Sequence, residues 1–307
     1  MLNGTSTRLL LTAVTPVLLA AGSCGPRGGP APGAAEPASA PAERHMLYKV
    51  EGRGGATVYL LGSIHLLTAD VYPLAQPIQA AYADAERVWF EADLDSLEAR
   101  APQLITRGLY TGGRSLRTEL PAELYAQVEQ AAQRAGLQMS LLDRLEPWLA
   151  GMMLSQMEYE RAGLKAEHGI DKHFVGRAKQ DQKPRGALET VEFQMGLFDG
   201  FTAEQQVEFL RSSLDDLEKT GEVMGTIKAA WLAGDEARID SIMNDNMDEP
   251  ELAARLLTDR NRAWVPQIEE LLRGTDDVLV VVGAAHLVGR NSVVRMLRDR
   301  GYRVDQL

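Results

Sequence analysis

The sequence of 307 residues contains a single cysteine, Cys24, so no disulfide can form within the chain. It has no run rich in Lys and Arg, and 43 acidic against 32 basic residues give a formal net charge of -11. Nucleic-acid binding therefore has little electrostatic support. The absence of a P-loop, a Gly-x-Gly-x-x-Gly motif and a Gly-x-Ser-x-Gly elbow argues against nucleotide-binding and serine-hydrolase classes of those types.

Despite these absences, the composition is that of an ordinary globular protein. The chain is 45% hydrophobic, 24% charged and only 6% aromatic. This profile and the length are sufficient for one sizeable hydrophobic core. The acidic surplus by itself indicates solubility and identifies no partner.

Residues 1–23 have the pattern of an export signal. Arg8 precedes the apolar run 9–21, and small residues lead directly to Cys24. This arrangement predicts a secretory signal and not a membrane span. Cys24 resembles the lipidated first residue of a bacterial lipoprotein, and the alternative is a plain signal peptide cleaved near residues 20–22. The predicted location is the cell envelope, either lipid-anchored to a bacterial membrane or secreted or periplasmic.

The next segment, residues 24–45, predicts a disordered tether. Its sequence "GPRGGPAPGAAEPASAPAE" is rich in Pro, Gly and Ala and has almost no large apolar side chain. Such a segment cannot bury enough surface to fold. The folded domain is therefore expected over residues 46–307.

Strand patterns lie at both ends of this domain. "MLYKVEG" and "ATVYLLGSIH" read as two strands joined by the turn-rich "GRGG", and "DVLVVV" and "YRVDQL" flank the helical "SVVRMLRDRG". The middle, roughly residues 95–270, is mostly helical in pattern. The predicted fold class is α/β, with a central mixed β-sheet built from the N- and C-terminal segments and a large, mostly helical middle insertion.

Individual signals refine this middle region. Pro121 and Gly136 predict the start and the end of one helix. Thr202 predicts the start of another helix, for which Gly221 is the expected stop. "KPRGALE" is a short strand candidate that ends at Glu189.

Two apolar runs end in Gly-x-x-His, at Gly62–His65 and at Gly283–His286. In open α/β sheets, ligands bind beyond the carboxyl ends of the strands. Glycine allows the backbone to turn without a Cβ clash, which would place each histidine over the edge of the sheet. If the two strands are neighbours, His65 and His286 face each other.

Two further strand candidates end in an acid, Glu91 and Glu189. Two imidazoles with one or two carboxylates form a donor set for Zn, Mn, Fe or Co. Such a site leaves a position for a water molecule that the metal acidifies. The alternative is that the histidines are partly buried polar groups with one hydrogen bond each, that Glu91 is a solvated strand end and that Glu189 starts a helix. Spacing alone favours this simpler alternative, since Gly-x-x-His recurs by chance.

The pair Arg260–Asn261 is polar within an amphipathic helical pattern. It is either part of a solvated face or an arginine that binds a carboxylate or stabilises an oxyanion at the site. His168 and His173 are five residues apart in "EHGIDKHF", which is the wrong helical phase for a shared metal ion.

Several of these motifs occur together in one known family. "LLGSIHLLTADVYPL", "VWFEADL", "LET" followed by Gln194, "DRNRAW" and "VVVGAAHLVGRNSVVRMLRDRGYRV" resemble the TraB/GumN family, which includes the Tiki metalloproteases. The resemblance extends from about Tyr48 to Val304. It implies an α/β fold shared with the erythromycin-esterase and ChaN-like proteins.

The resemblance also implies roles for particular residues. In Tiki relatives, the two Gly-x-x-His motifs and a glutamate are thought to bind a divalent metal that hydrolyses a peptide bond. Mapped onto this sequence, His65, His286 and Glu91 are the expected ligands, with Glu91 as ligand or general base. The other catalytic residues expected are Glu189, as a supporting group or additional ligand, and Arg260 and Asn261, which would orient the substrate.

The predicted function is thus that of an exported, divalent-metal-dependent, peptidase-like hydrolase that uses Mn, Co or Zn and acts on a peptide or small-molecule substrate. The alternative is a non-catalytic extracytoplasmic protein that binds a peptide or small ligand. Haem binding is a third hypothesis, suggested only by analogy with the ChaN-like fold. The membrane is the other expected partner, through lipidated Cys24, and nucleic acid is not expected.

Overall fold

A computed structural model describes residues 44–52, 54–243 and 250–307, so the predicted signal segment, Cys24 and nearly all of the predicted tether lie outside the described residues. The described strands form one six-stranded sheet in the order β4-β3-β5-β2-β1-β6. Strands β4, β3, β5 and β2 run parallel, whereas β1 is antiparallel to both of its neighbours. The strands are β1 (Leu47–Glu51), β2 (Thr57–Ser63), β3 (Arg87–Phe90), β4 (Arg185–Ala187), β5 (Val278–Gly283) and β6 (Val304–Gln306).

The two central strands carry the Gly-x-x-His motifs. Every residue of β2 and β5 is buried, as expected for parallel strands that are covered on both faces and rich in Val and Leu. Their register pairs Leu61 with Val281 and Ser63 with Gly283, so both strands end at the same level. The condition under which His65 and His286 would face each other, that these two strands are neighbours, is therefore met.

Helices cover the sheet and fill the segment between β3 and β5, which confirms the predicted helical middle insertion around the short strand β4. Within the described ranges the helices are α1 (Gln76–Asp84), α2 (Leu94–Arg107), α3 (Leu116–Glu119), α4 (Ala122–Ala135), α5 (Met139–Leu142), α6 (Pro147–Arg161), α7 (Ile170–Gln180), α8 (Val191–Asp199), α9 (Ala203–Asp216), α10 (Thr220–Leu232), α11 (Glu236–Met243), α12 (Pro250–Ala253), α13 (Asp259–Arg273) and α14 (Val293–Asp299).

Most of the predicted helix ends are confirmed by local chemistry. Helix α4 follows Pro121 and ends at Gly136, whose φ of 69° is the left-handed conformation that glycine adopts without strain. Helix α9 begins after Thr202, which forms a capping box with Gln205.

The predicted stop at Gly221 is wrong. Helix α9 ends earlier, at Asp216, and Gly221 lies in the first turn of α10 without a positive φ. The buried residues of α10 include Met224, Ile227 and Trp231, at helical spacing. Packing of this apolar face therefore continues the chain as a helix beyond the glycine.

The N-terminal end of the described chain joins the edge of the sheet. His45, which the sequence analysis assigns to the tether, is buried. Its backbone N–H donates to the carbonyl of Leu307 at 2.6 Å, and its carbonyl accepts from Gln306 Nε2 at 3.0 Å. Among the described helices, none has both the length and the apolar character needed to cross a membrane.

Candidate active site

The polar residues that follow the four parallel strands lie at one edge of the sheet. His65 and Glu189 each come two residues after their strands, Glu91 comes directly after β3, and His286 comes three residues after β5. The backbone N–H of Glu189 donates to the carbonyl of Glu91 at 2.7 Å, which aligns the two acids. The structure thus brings Glu91, Glu189 and His286 together around the side chain of Arg260.

The glycines of the two Gly-x-x-His motifs do not supply a special turn conformation. Neither Gly62 nor Gly283 has a positive φ, and Gly283 has φ -52° and ψ 136°, which any residue adopts. The predicted role of these glycines in turning the chain is therefore wrong. At Gly62 the requirement is close approach, because an added Cβ would lie 3.1 Å from the Cα of Ala284.

The side chain of Arg260 lies at the centre of the cluster and is fully buried. Its Nε and Nη2 donate to the two oxygens of Glu189 at 2.8 and 3.0 Å, and Nη2 also donates to Glu91. Nη1 donates to the carbonyl of Leu256 at 3.1 Å. The guanidinium also packs 4.8 Å from the centre of the Trp264 ring. The solvated-face alternative for Arg260 is thus wrong, and its planar fork binds two protein carboxylates.

The backbone just before Arg260 departs from regular α-helical geometry. A π-helical segment, Ala254–Thr258, leads directly into α13, which carries Arg260 and Trp264. Single π-helical turns occur frequently at functional sites. The indole N–H of Trp264 donates to Glu189 at 2.8 Å, so one face of α13 holds this carboxylate through two residues.

The hydrogen bonds of His286 determine its tautomer. Its Nε2 lies 3.1 Å from Arg260 Nη1, and because a guanidinium can only donate, Nε2 accepts. The proton is therefore on Nδ1, which donates to Asn261 Oδ1 at 2.6 Å. The orientation of the Asn261 amide follows, since its Nδ2 donates to the carbonyl of Asn291 at 2.8 Å. Burial, together with the charge of Arg260, lowers the pKa of His286 to about 3, so the ring is neutral at physiological pH.

Glu91 is ionised in this environment. Burial alone raises its pKa, but the Arg260 guanidinium, with smaller contributions from the two histidines in their protonated forms and from the Gly283 N–H, outweighs burial and holds the pKa well below its ordinary value. Its Oε1 accepts from the Gly283 N–H at 2.7 Å and lies 3.9 Å from His286 Nε2. Glu91 therefore lies against one histidine and interacts electrostatically with both.

Glu189 differs from Glu91, although both accept from Arg260. Burial and the neighbouring Glu91 carboxylate raise the pKa of Glu189, against the lowering effect of Arg260. Gln194 contacts both acids, because its Nε2 donates to Glu189 at 3.1 Å and to Glu91 at 3.3 Å. The two carboxylates are thus held together by an arginine and a glutamine.

His65 has a carboxylate partner, Asp171, that is not among the site residues predicted from the sequence. Its Nδ1 lies 2.9 Å from Asp171 Oδ2, and both side chains are buried. Asp171 lies in the first turn of α7, in the "EHGIDKHF" segment in which only the histidines were considered. The sequence does contain a signal for Asp171, which lies on the apolar face of the helix. A buried aspartate at such a position needs a partner.

The donor types at this edge of the sheet, imidazole and carboxylate, are ones that divalent metals such as Zn and Mn accept. Glu91 and Glu189 pair with the Arg260 guanidinium, and Asp171 pairs with His65. Each histidine directs Nδ1 to an oxygen acceptor, as metal-bound histidines do, which makes Nε2 the basic nitrogen. Within the described ranges, however, no three His, Cys, Asp or Glu residues are grouped to hold a metal ion. The ligand assignment therefore stays a prediction.

The lowered pKa of His286 predicts how stability depends on pH in the metal-free protein. The ordinary histidine pKa of 6.5 applies to the unfolded chain, so below pH 6.5 the unfolded state binds more protons than the folded state. The free energy of unfolding is expected to fall as the pH falls from 6.5 toward 3, by up to about 1.4 kcal/mol per pH unit. Below pH 4.5, Glu91 adds a loss of the same sign.

Urea unfolding in EDTA at several pH values between 7.5 and 4.5 measures this dependence. The His286→Gln variant is the control, because glutamine does not titrate and the variant should lose most of the slope above pH 4.5. An equal slope in the wild type and in the variant would contradict the assignment to His286.

Comparison with known proteins agrees with these observations. The sequence matches the family model described as "TraB/PrgY/gumN family" over residues 46–306. It is 25% identical over 245 residues to "Uncharacterized protein YbaP" of Escherichia coli (strain K12), covering 80% of this chain and 89% of that protein. None of the solved structures compared matches it significantly.

More distant similarity connects the chain to animal proteins. It is 23% identical to "Metalloprotease TIKI2" of Danio rerio and 22% identical to "Metalloprotease TIKI1" of Homo sapiens. In each case the match covers 80% of this chain, and 58% or 59% of the relative. The chain thus spans little more than half the length of these two proteins.

Proposed function

The chain belongs to the TraB/PrgY/gumN family, and from this premise we propose that it is a divalent-metal-dependent hydrolase of the peptidase type. The observation that carries the proposal is the buried cluster at the carboxyl ends of the parallel strands. There, the neutral His286 lies 3.9 Å from the ionised Glu91, and His65 is close enough to help lower the pKa of Glu91. The similarity to the two Tiki metalloproteases supports the same reaction class.

Three residues would hold the metal: His65, His286 and Glu91. When bound, the metal supplies an acidified water as the nucleophile and polarises the scissile carbonyl. A neutral ring is required for metal binding, and the His286 ring is neutral. Its Nε2 accepts from Arg260 Nη1 and would exchange that hydrogen bond for the metal. Glu91 is the candidate for accepting the proton of the attacking water if it is not itself a ligand.

The contacts of Arg260 and Asn261 favour supporting roles over direct contact with substrate. All three nitrogens of the Arg260 guanidinium group donate within the protein, to Glu91, Glu189, His286 and Leu256. Both polar atoms of the Asn261 amide are likewise used, by His286 and Asn291. We therefore assign Arg260 to fixing the two carboxylates and Asn261 to holding the tautomer of His286.

The indole ring of Trp264 completes one wall of the cluster. Its centre lies 4.3 Å from that of the His286 ring, and the Trp264 side chain is fully buried. Exclusion of water by this wall strengthens every charge interaction inside the cluster.

Metal analysis followed by peptide digestion tests the proposal. Purified protein, loaded in turn with Mn²⁺, Co²⁺ and Zn²⁺, is expected to retain one of these ions and to cut members of a defined peptide library. Addition of EDTA is expected to abolish the cleavage. Peptide binding that survives EDTA, without any cleavage, would instead favour the non-catalytic binding protein, and absence of both metal and cleavage would refute the hydrolase.

We place this activity in the cell envelope on the basis of the sequence of residues 1–45 alone. The signal pattern, the position of Cys24 and the Pro/Gly/Ala-rich tether together favour a domain held at a bacterial membrane surface. Mass spectrometry of the mature N terminus distinguishes a lipid-modified Cys24 from a freely exported chain.

A further inference from the structure

The ion pair between His65 and Asp171 lies beside the strand-end cluster. Asp171 Oδ2 is 2.9 Å from His65 Nδ1, and each of the two side chains is 7% exposed. A carboxylate can only accept, so Nδ1 carries a proton that points at Asp171, and in the neutral ring Nε2 holds the lone pair. The same pattern occurs at His286, where Asn261 takes the place of the carboxylate.

The backbone around Asp171 is locked to the backbone around His65. Gly169 lies so close that an added Cβ would be 2.3 Å from the carbonyl oxygen of His65. The next residue, Ile170, donates its N–H to the carbonyl of Ile64 at 3.1 Å. Tyr72 donates its hydroxyl to the carbonyl of His168 at 3.0 Å, which fixes the same turn from outside. The start of α7 therefore aims Asp171 at one ring nitrogen with little freedom.

Stability alone does not explain this carboxylate. Among the described residues, the other oxygen of Asp171, Oδ1, is buried and has no hydrogen-bond partner. Leaving such an atom unpaired costs roughly 1–3 kcal/mol. Groups kept at such a cost occur mostly where strain or chemistry requires them.

We infer that Asp171 is a positioning residue that holds the His65 ring through Nδ1–H and so fixes the tautomer whose basic nitrogen, Nε2, is the one proposed to bind the metal. This inference rests on the proposed function for the identity of the ligand, but the position and tautomer of the ring follow from the His65–Asp171 contact itself. Asp171 acts through His65 and touches neither substrate nor metal.

Nitrogen-15 NMR of the histidine rings in metal-free protein tests the tautomer directly. The His65→Gln variant identifies the His65 signals among the five histidines of the chain. In the wild type, Nδ1 is expected to be the protonated nitrogen, and in Asp171→Ala the share of this tautomer should fall. Asp171→Asn should keep the tautomer, because an amide oxygen can accept from Nδ1–H as Asn261 does at His286. Asp171→Ala should also bind Mn²⁺ or Co²⁺ roughly 10–100-fold more weakly.

Asp181→Asn is the matched control. Asp181 directly follows the same helix and also accepts from an aromatic side chain, the hydroxyl of Tyr82, at 2.7 Å. The Asp181→Asn substitution should leave both the His65 tautomer and the metal affinity unchanged. Urea unfolding of Asp171→Ala establishes that this variant is folded, and Asp171→Asn keeps both the size and an acceptor oxygen of the side chain.

An unchanged His65 tautomer in Asp171→Ala, or an equal shift in Asp181→Asn, would overturn the positioning role. A shifted tautomer in a protein that cuts no peptide would support the positioning role and refute only the hydrolase. The positioning role of Asp171 and the proposed hydrolase function can therefore be refuted independently of each other.

Discussion

Replacement of Arg260 by methionine is expected to destabilise the protein by about 3–5 kcal/mol, the usual cost of removing one partner from a buried ion pair. The Arg260 side chain has no exposed surface, and its two partners, Glu189 and Glu91, are only 5% and 11% exposed. Methionine fills much of the same volume but leaves both carboxylates without a counter-charge. Urea unfolding at pH 7.5 measures the loss.

Arg262 provides the matched control on the same helix. Its side chain is 65% exposed and pairs with Asp259 at 2.9 Å. Surface pairs of this kind contribute roughly 0–1 kcal/mol, so Arg262→Met should have a small effect. Equal destabilisation by the two substitutions would show that Arg260 does not neutralise the buried acids.

Replacement of His286 by glutamine is expected to lower kcat/KM for peptide hydrolysis by roughly 10²–10⁴-fold, the range of effect of a group that acts directly in proton transfer or activates the nucleophile. Metal content of the purified variant should fall in parallel. Glu91→Gln should have an effect of similar size, because it removes the charge that lies 3.9 Å from His286 Nε2. Initial rates with one library peptide and elemental analysis of the same samples measure both quantities.

His168→Gln is the control for this experiment. His168 is half-buried at the end of a short turn before α7 and contributes its backbone carbonyl, and not its ring, to Tyr72. The activity and metal content of the His168→Gln variant should match those of the wild type. If His286→Gln and Glu91→Gln also matched the wild type, the strand-end cluster would not be the catalytic centre.

The strands of the sheet could be predicted from the sequence because strand formation here depends on the local pattern of apolar residues. The near-continuous apolar runs of β2 and β5 are typical of parallel strands buried on both faces, and that is where the structure places them. The four candidate residues were found because each lies within three residues of the end of a strand candidate, and parallel strands end at one edge. Motif order then indicated the family, which the match over residues 46–306 confirmed.

Local signals were weaker where packing competes with them. Gly221 is a reasonable helix stop by composition, but the apolar face of α10 packs regardless of it. The glycines of the Gly-x-x-His motifs were correctly noted but wrongly explained. Close approach between neighbouring strand ends, as at Gly62, is a property of two segments, and one segment alone does not reveal it.

The sequence by itself determined the strands, the family and the residues gathered at the sheet edge. Only the tertiary structure decided how those residues pair. It placed Arg260 between Glu91 and Glu189, joined His65 to Asp171 across 106 positions of the chain, and set the proton of His286 on Nδ1. The physical reason is range, because hydrophobic periodicity and helix capping act between near neighbours, whereas buried charges and hydrogen bonds are satisfied by whichever groups packing brings within reach.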